Sequence, residues 1–286
     1  MELLVLDGNN LSHISFHKAK SILKKDGVTS LDRIELMTYH LFFLKLFKIF
    51  KVFKDHIKII CWDEGGKSVD GFSSINWRKT IYPQYKQHRK YHEDDSFKAL
   101  FNAISNIKEV LENFPLYQLS KEGVEGDDLI FACVKKITNS NTVIVSTDSD
   151  LLQIPQRFKN VKLLNPITLK YVNPPNDYNI CDFKAIKGDK SDDIEGIYGY
   201  GDKKSLILAK SIFEDKNNIK KLNEEQISIY NRNINLIDLS LTPIDIEIDI
   251  DKVVEKNKAM MISKIKKFFL EKKLRALLEI VDNNLL

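Results

Sequence analysis

Short aliphatic runs that stop at an aspartate recur along this chain, with helical stretches between them. Residues 2–6 lead into Asp7, residues 57–62 into Asp63, and residues 142–146 into a T-D-S-D that holds Asp148 and Asp150. Runs this short and this apolar read as strands buried on both faces. Residues 31–53, 97–113 and 125–137 show helical spacing instead. Residues 116–119 and 161–164 are two further candidate strands. Strand and helix in alternation predict an α/β fold, a mostly parallel sheet flanked by helices. In such sheets the site lies beyond the carboxyl ends of the strands, where Asp7, Asp63 and Asp148 are placed.

From residue 177 onward the pattern becomes helical with short loops. The expected organisation is an α/β core over 1–176 and a helical region over 177–286. The 286 residues are enough for one large α/β unit with a helical appendix. Cys61, Cys133 and Cys181 lie far apart without a C-x-x-C pair, which suits buried thiols in a reducing, cytoplasmic compartment. The N-terminus lacks a basic leader and reads as a first strand. The most apolar stretch, residues 41–53, carries Lys45, Lys48 and Lys51 along one stripe, too short and too charged to span a bilayer.

Acids gather in five separated pieces. Besides Asp7 and Asp63 there are E-G-D-D (Glu125, Asp127, Asp128), T-D-S-D (Asp148, Asp150) and G-D-K-S-D (Asp189, Asp192). A lone aspartate at a strand end is commonly a helix N-cap, and acids in a first helical turn complement its dipole. Three acids in four residues exceed what a cap needs, and Glu125 and Asp128 would share a helix face. The spacing of Asp148 and Asp150 would aim them the same way if the strand ran on, beside the hydroxyls of Thr147 and Ser149. Carboxylates without His or Cys select hard cations, Mg2+ or Mn2+, over zinc. Converging, they suit two ions about 3.5–4 Å apart, the separation that serves in-line phosphoryl displacement.

Charge elsewhere is uneven. Residues 78–92 hold five Lys or Arg, two His and three Tyr with no acid, and residues 255–275 hold eight Lys or Arg against two Glu. Such segments suit a polyanionic partner, though lysines on an amphipathic helix can equally be a solvated face. Arg78, Lys86, Arg89 and Lys90 offer phosphate contacts, and Tyr82 and Tyr85 offer surfaces on which unpaired bases stack. Lys86 and Arg89, three apart, would point together from a helix. Beyond Asp192, Gly199 and Gly201 permit tight turns before a helix over 203–213. The N–H groups there, with Lys203 and Lys204, suit a phosphate, and turn carbonyls suit a monovalent cation such as K+. The G-G-K-S at 65–68 imitates a nucleotide-binding loop, but the motif's first glycine is Cys61 here, which excludes ATP binding.

Together these segments resemble the 5′-nuclease family of flap endonucleases, phage 5′–3′ exonucleases and the N-terminal nuclease domain of DNA polymerase I. L-L-V-L-D-G-N-N and I-C-W-D are similar to its first two acid-bearing strands. R-K-x-I-Y-P-Q-Y-K-Q-H-R is similar to its arch, and T-D-S-D-L-L-Q-I to its T-x-D-x-D-x-x-Q strand end. G-D-K-S-D-D-I-E-G-I-Y-G-Y-G-D-K-K resembles its helix–three-turn–helix. Gly126 stands where the family has alanine, Asp193 is an acid beyond the pattern, and Tyr200 and Asp202 depart from the usual loop residues.

The resemblance implies a PIN-like sheet with a helical arch over about 64–98 and a helix–three-turn–helix over about 186–213. It implies a structure-selective, Mg2+-dependent 5′ nuclease with two ions, for which Mn2+ can substitute. Asp7, Asp63, Glu125, Asp127, Asp128, Asp148, Asp150, Asp189 and Asp192 would hold the metals, and Lys86 and Arg89 would contact the scissile phosphate. The substrate would be DNA or an RNA/DNA hybrid with a 5′ single-strand/duplex junction, met during RNA primer and flap removal. A monomer is expected, working beside replication proteins, in the host cytoplasm if phage-encoded and without a polymerase domain. Two rivals differ in what they require. A metal phosphatase of the D-x-D type needs a second Asp on the first strand, where Gly8 and Asn9 follow Asp7 instead. A catalytically silent junction-binding protein would tolerate broken acid positions.

Overall fold

The computed structural model describes residues 2–64, 76–88 and 95–282. Six strands form one sheet: β1 (Glu2–Asp7), β2 (Ile57–Glu64), β3 (Tyr117–Glu122), β4 (Asn141–Val145), β5 (Val161–Asn165) and β6 (Lys170–Val172). Their order is β3-β2-β1-β4-β5-β6. Every neighbouring pair is parallel except the edge pair β5 and β6. The centre of the sheet is therefore the first strand, and its end is the natural meeting point for residues carried by both neighbours.

The reason β1 is apolar throughout lies in its two covered faces. Leu4 and Leu6 point into one core with Leu11 of α1 (Gly8–Lys25) and Tyr39, Phe42 and Phe43 of α2 (Leu31–Val52). Leu3 and Val5 point into the other core, with Leu129, Ile130 and Val134 from residues 126–136. All four strand residues are fully buried. Each such side chain contributes roughly 1.5–3 kcal/mol of burial. The turn off β1 is tight: a Cβ on Gly8 would stand 2.4 Å from the Trp62 ring, so the chain can turn from Asp7 into α1 against that indole only as glycine.

Four further helices complete the core: α3 (Trp77–Ile81), α4 (Ser96–Leu111), α5 (Gly126–Lys136) and α6 (Gln153–Arg157). Beyond them α7 (Ile180–Lys187), a two-residue-per-strand hairpin of β7 (Gly188–Asp189) and β8 (Ile194–Glu195), α8 (Asp202–Glu214) and α9 (Glu224–Ile237) surround a separate apolar cluster. Helices continue to residue 282, but the last of them pack on the sheet and not around that cluster. Leu239, Ile248 and, from α10 (Ile250–Lys256), Val253 pack on the α5 side of the sheet. Ile265 and Phe269 of α11 (Ile262–Glu271) and Leu277 and Val281 of α12 (Arg275–Asp282) pack on the α2 side. The Phe269 ring lies 5.0 Å from that of Phe43. The middle of the basic stretch 255–275 is thus an amphipathic helix seated on the core, with Lys266 paired to Asp282 and Lys267 to Glu271.

Of the expected arch over 64–98, residues 65–75 and 89–94 lie outside the described residues, and the 65–68 segment with them. Its described foot, residues 76–88, is a short helix and turn packed against the third cluster. Among the described residues no helix is long and apolar enough to cross a membrane.

Candidate active site

The ends of β1, β2 and β4 and the start of α5 carry one set of acids. Asp7 is the N-cap of α1: its Oδ1 accepts the Asn10 N–H at 2.9 Å and its Oδ2 accepts the Ser146 hydroxyl at 2.8 Å. The same Ser146 oxygen accepts the Asp148 N–H at 3.0 Å, and Asn10 Oδ1 accepts the Thr147 N–H at 3.0 Å. Asn9 Oδ1 accepts the Asp63 N–H at 3.1 Å. Asn9, Asn10 and Ser146 were not among the expected site residues, yet they stitch the strand ends together. The only signal for the two asparagines was the N-N that comes after D-G. Asp63 in turn accepts the Gly126 N–H at 2.5 Å, and a Cβ on Gly126 would stand 3.0 Å from that carboxylate oxygen.

These acids burden one another. Burial, with the charges of Asp63 and Asp148, pushes Asp7 up to about 7 despite its two hydrogen bonds. Burial and then Asp148, Asp7, Asp63 and Asp150 raise Asp127 well above the ordinary carboxylate range. The strand does not run on into T-D-S-D, so the condition for a common aim is not met. β4 ends at Val145, and Asp150 opens a 3-10 turn and donates its N–H to Asp148 Oδ1 at 2.8 Å. The two side chains are therefore set by a turn and not by strand alternation.

A second set is held by lysines. Lys184 of α7 donates to Asp150 and, at 2.7 Å, to Asp189 Oδ2, joining the sheet edge to the β7–β8 hairpin. Burial raises Asp150, with Lys184 opposing. Asp189 sits at about 2, where Lys184 and the hydroxyl and N–H of Ser191 overcome burial. Lys86 Nζ donates to Glu125 Oε1 at 2.6 Å and lies 3.7 Å from Asp192 Oδ2. Tyr85 OH bridges the same two acids, 2.9 Å from Glu125 and 3.0 Å from Asp192. Against burial, the charges of Lys86 and Arg78 hold Glu125 at about 2. Lys184 was not among the expected residues. Its position three before Lys187 marks it only as one lysine of a short helix.

Four expectations are corrected. Asp128 is 1% exposed and spends both oxygens on Arg78, at 2.8 Å each, with the Thr242 hydroxyl at 2.6 Å and the Glu125 N–H at 3.2 Å. It is a buried counter-charge and helix cap, not part of the metal set. Arg78 is 2% exposed, donates also to Leu236 O, and is raised further by Asp128 although burial lowers it, so it does not face DNA. Tyr82 and Tyr85, at 8% and 2% exposed, fill the third apolar cluster and offer no open stacking surface. In each case an apolar or ionic partner far along the chain claimed the side chain. Arg89 and Lys90 lie outside the described residues. Gly199 takes a φ of +82°, which favours glycine, and Gly201 is the N-cap of α8, with Lys203 and Lys204 exposed in its first turn.

Among the described residues, no group of three or more His, Cys, Asp or Glu side chains already stands arranged to hold a metal ion. The donor chemistry nonetheless fits a hard divalent cation: the groups are carboxylates, and at the sheet edge burial and the neighbouring charges raise Asp7 and Asp127, a repulsion that a cation would offset.

The fold and site thus define an α/β protein with a mostly parallel sheet, acids along its carboxyl edge and a helical module beside them. A family sequence model described as 5′–3′ exonuclease, N-terminal resolvase-like domain, matches residues 2–184. The 5′–3′ exonuclease of Mycoplasmopsis pulmonis is 30% identical over 245 residues, covering 79% of this chain and 75% of that one. DNA polymerase I of Borreliella burgdorferi is 31% identical over 221 residues, covering 72% of this chain but 22% of that protein. In structure, the bacteriophage T5 flap endonuclease, solved as a complex with DNA and metal ions, superposes with a TM-score of 0.60 at 21% identity. That superposition covers 99% of this chain and 100% of the phage protein. The chain belongs to the 5′-nuclease family, the group of 5′–3′ exonucleases and flap endonucleases.

Proposed function

We propose that this protein is a divalent-metal-dependent, structure-selective 5′ nuclease that cleaves near a 5′ single-strand/duplex junction by two-metal catalysis. The observation that carries the reading is the gathering of Asp7, Asp63, Asp127, Asp148 and Asp150 at one edge of the sheet, where burial and their charges raise Asp7 and Asp127. Asp7, Asp63, Asp127 and Asp148 would hold one ion, and Asp150, Asp189 and Asp192 the second. Glu125, held here by Lys86, would join the first set once that lysine is released. Mg2+ suits these oxygens, and Mn2+ can replace it. The chemistry supplied there when cations are bound is a nucleophilic water available near neutral pH and charge relief at the departing oxygen.

The chain's own residues do the rest. Lys86, already at the acids, is placed to exchange Glu125 for a phosphate oxygen and to steady charge as it develops. Arg89, beyond the described residues, would join it. The N-terminus of α8, with Lys203, Lys204 and the Gly199–Gly201 turn, would grip duplex backbone, and turn carbonyls would accept K+. DNA or an RNA/DNA hybrid is the substrate, and RNA primer and flap removal during replication is the task, leaving a 3′-hydroxyl and a 5′-phosphate.

The test is cleavage of a labelled 5′-flap duplex with Mg2+, with Mn2+ and with chelator. Asp150→Asn should lower the rate about 10²–10³-fold, the loss typical of removing one group that stabilises transition-state charge. A wild-type protein inert with both metals, or an Asp150→Asn variant at full rate, would sink the proposal.

A further inference from the structure

Two residues outside glycine adopt left-handed backbone close to the acids, and they belong to segments that are bonded to each other. Lys86 has a φ of 53° and Asp193 a φ of 57°. Such conformations cost free energy for side chains with a Cβ and persist only where the surroundings enforce them. The enforcing contacts are visible. The Lys86 N–H donates to Asp192 O at 2.9 Å. Two residues on, the His88 N–H donates to Asp193 Oδ2 at 2.9 Å, and the His88 ring Nδ1 meets Asp193 Oδ1. The foot of the basic segment is thus clasped, residue against residue, to the tip of the β7–β8 hairpin.

From this clasp we infer that Asp193 is a positioning residue for the nuclease reaction. The clasp delivers the Lys86 ammonium to Glu125 and Asp192, and the Tyr85 hydroxyl between the same two acids. Without it the 84–88 turn would keep its apolar anchor, because Tyr82 and Tyr85 stay buried, but would lose the register that puts Lys86 rather than Gln87 at the acids. Asp193 touches none of the acids' oxygens in the bonds that define it. Its part is to accept from His88 and to hold a backbone that few residues tolerate. A side chain that bonds to backbone and accepts left-handed φ is Asn or Asp, and Asp alone can also pair with an ionised imidazole.

The inference rests on the nuclease reading, and its test separates the two. Asp193→Gly keeps the left-handed backbone and deletes the acceptor. Asp193→Asn keeps the backbone and an acceptor for the His88 N–H. Amide hydrogen exchange of the metal-free proteins, which does not depend on activity, should show the Lys86 and His88 amides exchanging at least tenfold faster in Asp193→Gly and near the wild-type rate in Asp193→Asn. In 5′-flap cleavage, Asp193→Gly should lower kcat at least tenfold with KM within about threefold, and Asp193→Asn should recover most of it. Unchanged exchange in Asp193→Gly would overturn the clasp. Faster exchange with unchanged kcat, or equal losses in kcat and in flap affinity, would overturn the positioning role. A wild type that does not cleave would overturn the nuclease reading and this role with it, while the exchange result would still decide whether the clasp exists.

Discussion

Two neighbouring groups of carboxylates in this protein are held in opposite ways. At the sheet edge, Asp7, Asp127 and Asp148 are fixed by backbone N–H groups and hydroxyls or by helix position, and burial with mutual repulsion raises Asp7 and Asp127. Around the helical module, Glu125 and Asp189 carry lysine partners that bring both to about 2. The first group is rigid and short of positive charge. The second is neutralised by side chains that can move. A cation is therefore favoured at the edge as a relief of repulsion, whereas it must compete with Lys86 and Lys184 at the module.

The most disruptive way to break this contrast is to remove the wall between the groups. Arg78→Ala would leave Asp128 buried without its counter-charge and should cost about 3–5 kcal/mol, read as a lower urea midpoint. A loss under about 1 kcal/mol would mean that the pair does not carry the junction of α3 and α5. Next, Lys184→Met strips the cation from Asp150 and Asp189. Metal-free stability should fall by about 1–3 kcal/mol and be largely regained in Mg2+. A variant as stable as the wild type without metal would erase the distinction between the groups.

Asp7→Asn should act with the opposite sign. Removing one repelling charge at the edge should raise metal-free stability at pH 8 by on the order of 1–2 kcal/mol, while abolishing cleavage. The wild type should mimic part of this gain on acidification. Because the folded-state value of Asp7, about 7, lies above its unfolded one, its contribution is lost as pH rises through 7 and returns as pH falls toward 5. Glu125 and Asp189, both lowered to about 2, begin to cost stability only below about pH 5, whereas His40 and His56, lowered by burial, oppose the gain as pH falls, so melts of the wild type beside Asp7→Asn between pH 8 and 5 isolate the edge. A metal-free wild type that gains no more over that range than Asp7→Asn would contradict the assignment. The smallest effect is expected of Gly126→Ala, whose helix propensity gain of roughly 1 kcal/mol is set against crowding of Asp63 Oδ1. Stability should change by less than about 1 kcal/mol, and a larger loss would show that the Gly126 N–H contact with Asp63 is tight.

Reading the chain in one dimension went furthest where local pattern and global role agree. The buried runs of β1, β2 and β4 are apolar because both faces are covered, so their ends, and Asp7, Asp63 and Asp148, could be placed. α1 escaped notice because its buried face includes Ser12 and Ser15, whose hydroxyls bond back to Gly8 O and Leu11 O and so hide an inward face behind polar letters. The tail stayed open between a polyanion-binding surface and a solvated amphipathic face because its lysines are visible in sequence, whereas the partners of Ile265 and Phe269, Phe43 among them, lie far earlier in the chain.

Residue order alone determines the alternation of strand and helix, the parallel sheet and the strand-end acids, since these depend on local periodicity and on connection rules. Which acids face one another, and which are spent on a lysine or an arginine, depends on distances between segments remote in the chain. Asp127 and Asp128 show the difference: adjacent in sequence and alike in chemistry, one points to the other edge acids and the other into Arg78. A helix turns about 100° per residue, so neighbours face different surroundings, and only packing determines what those surroundings contain.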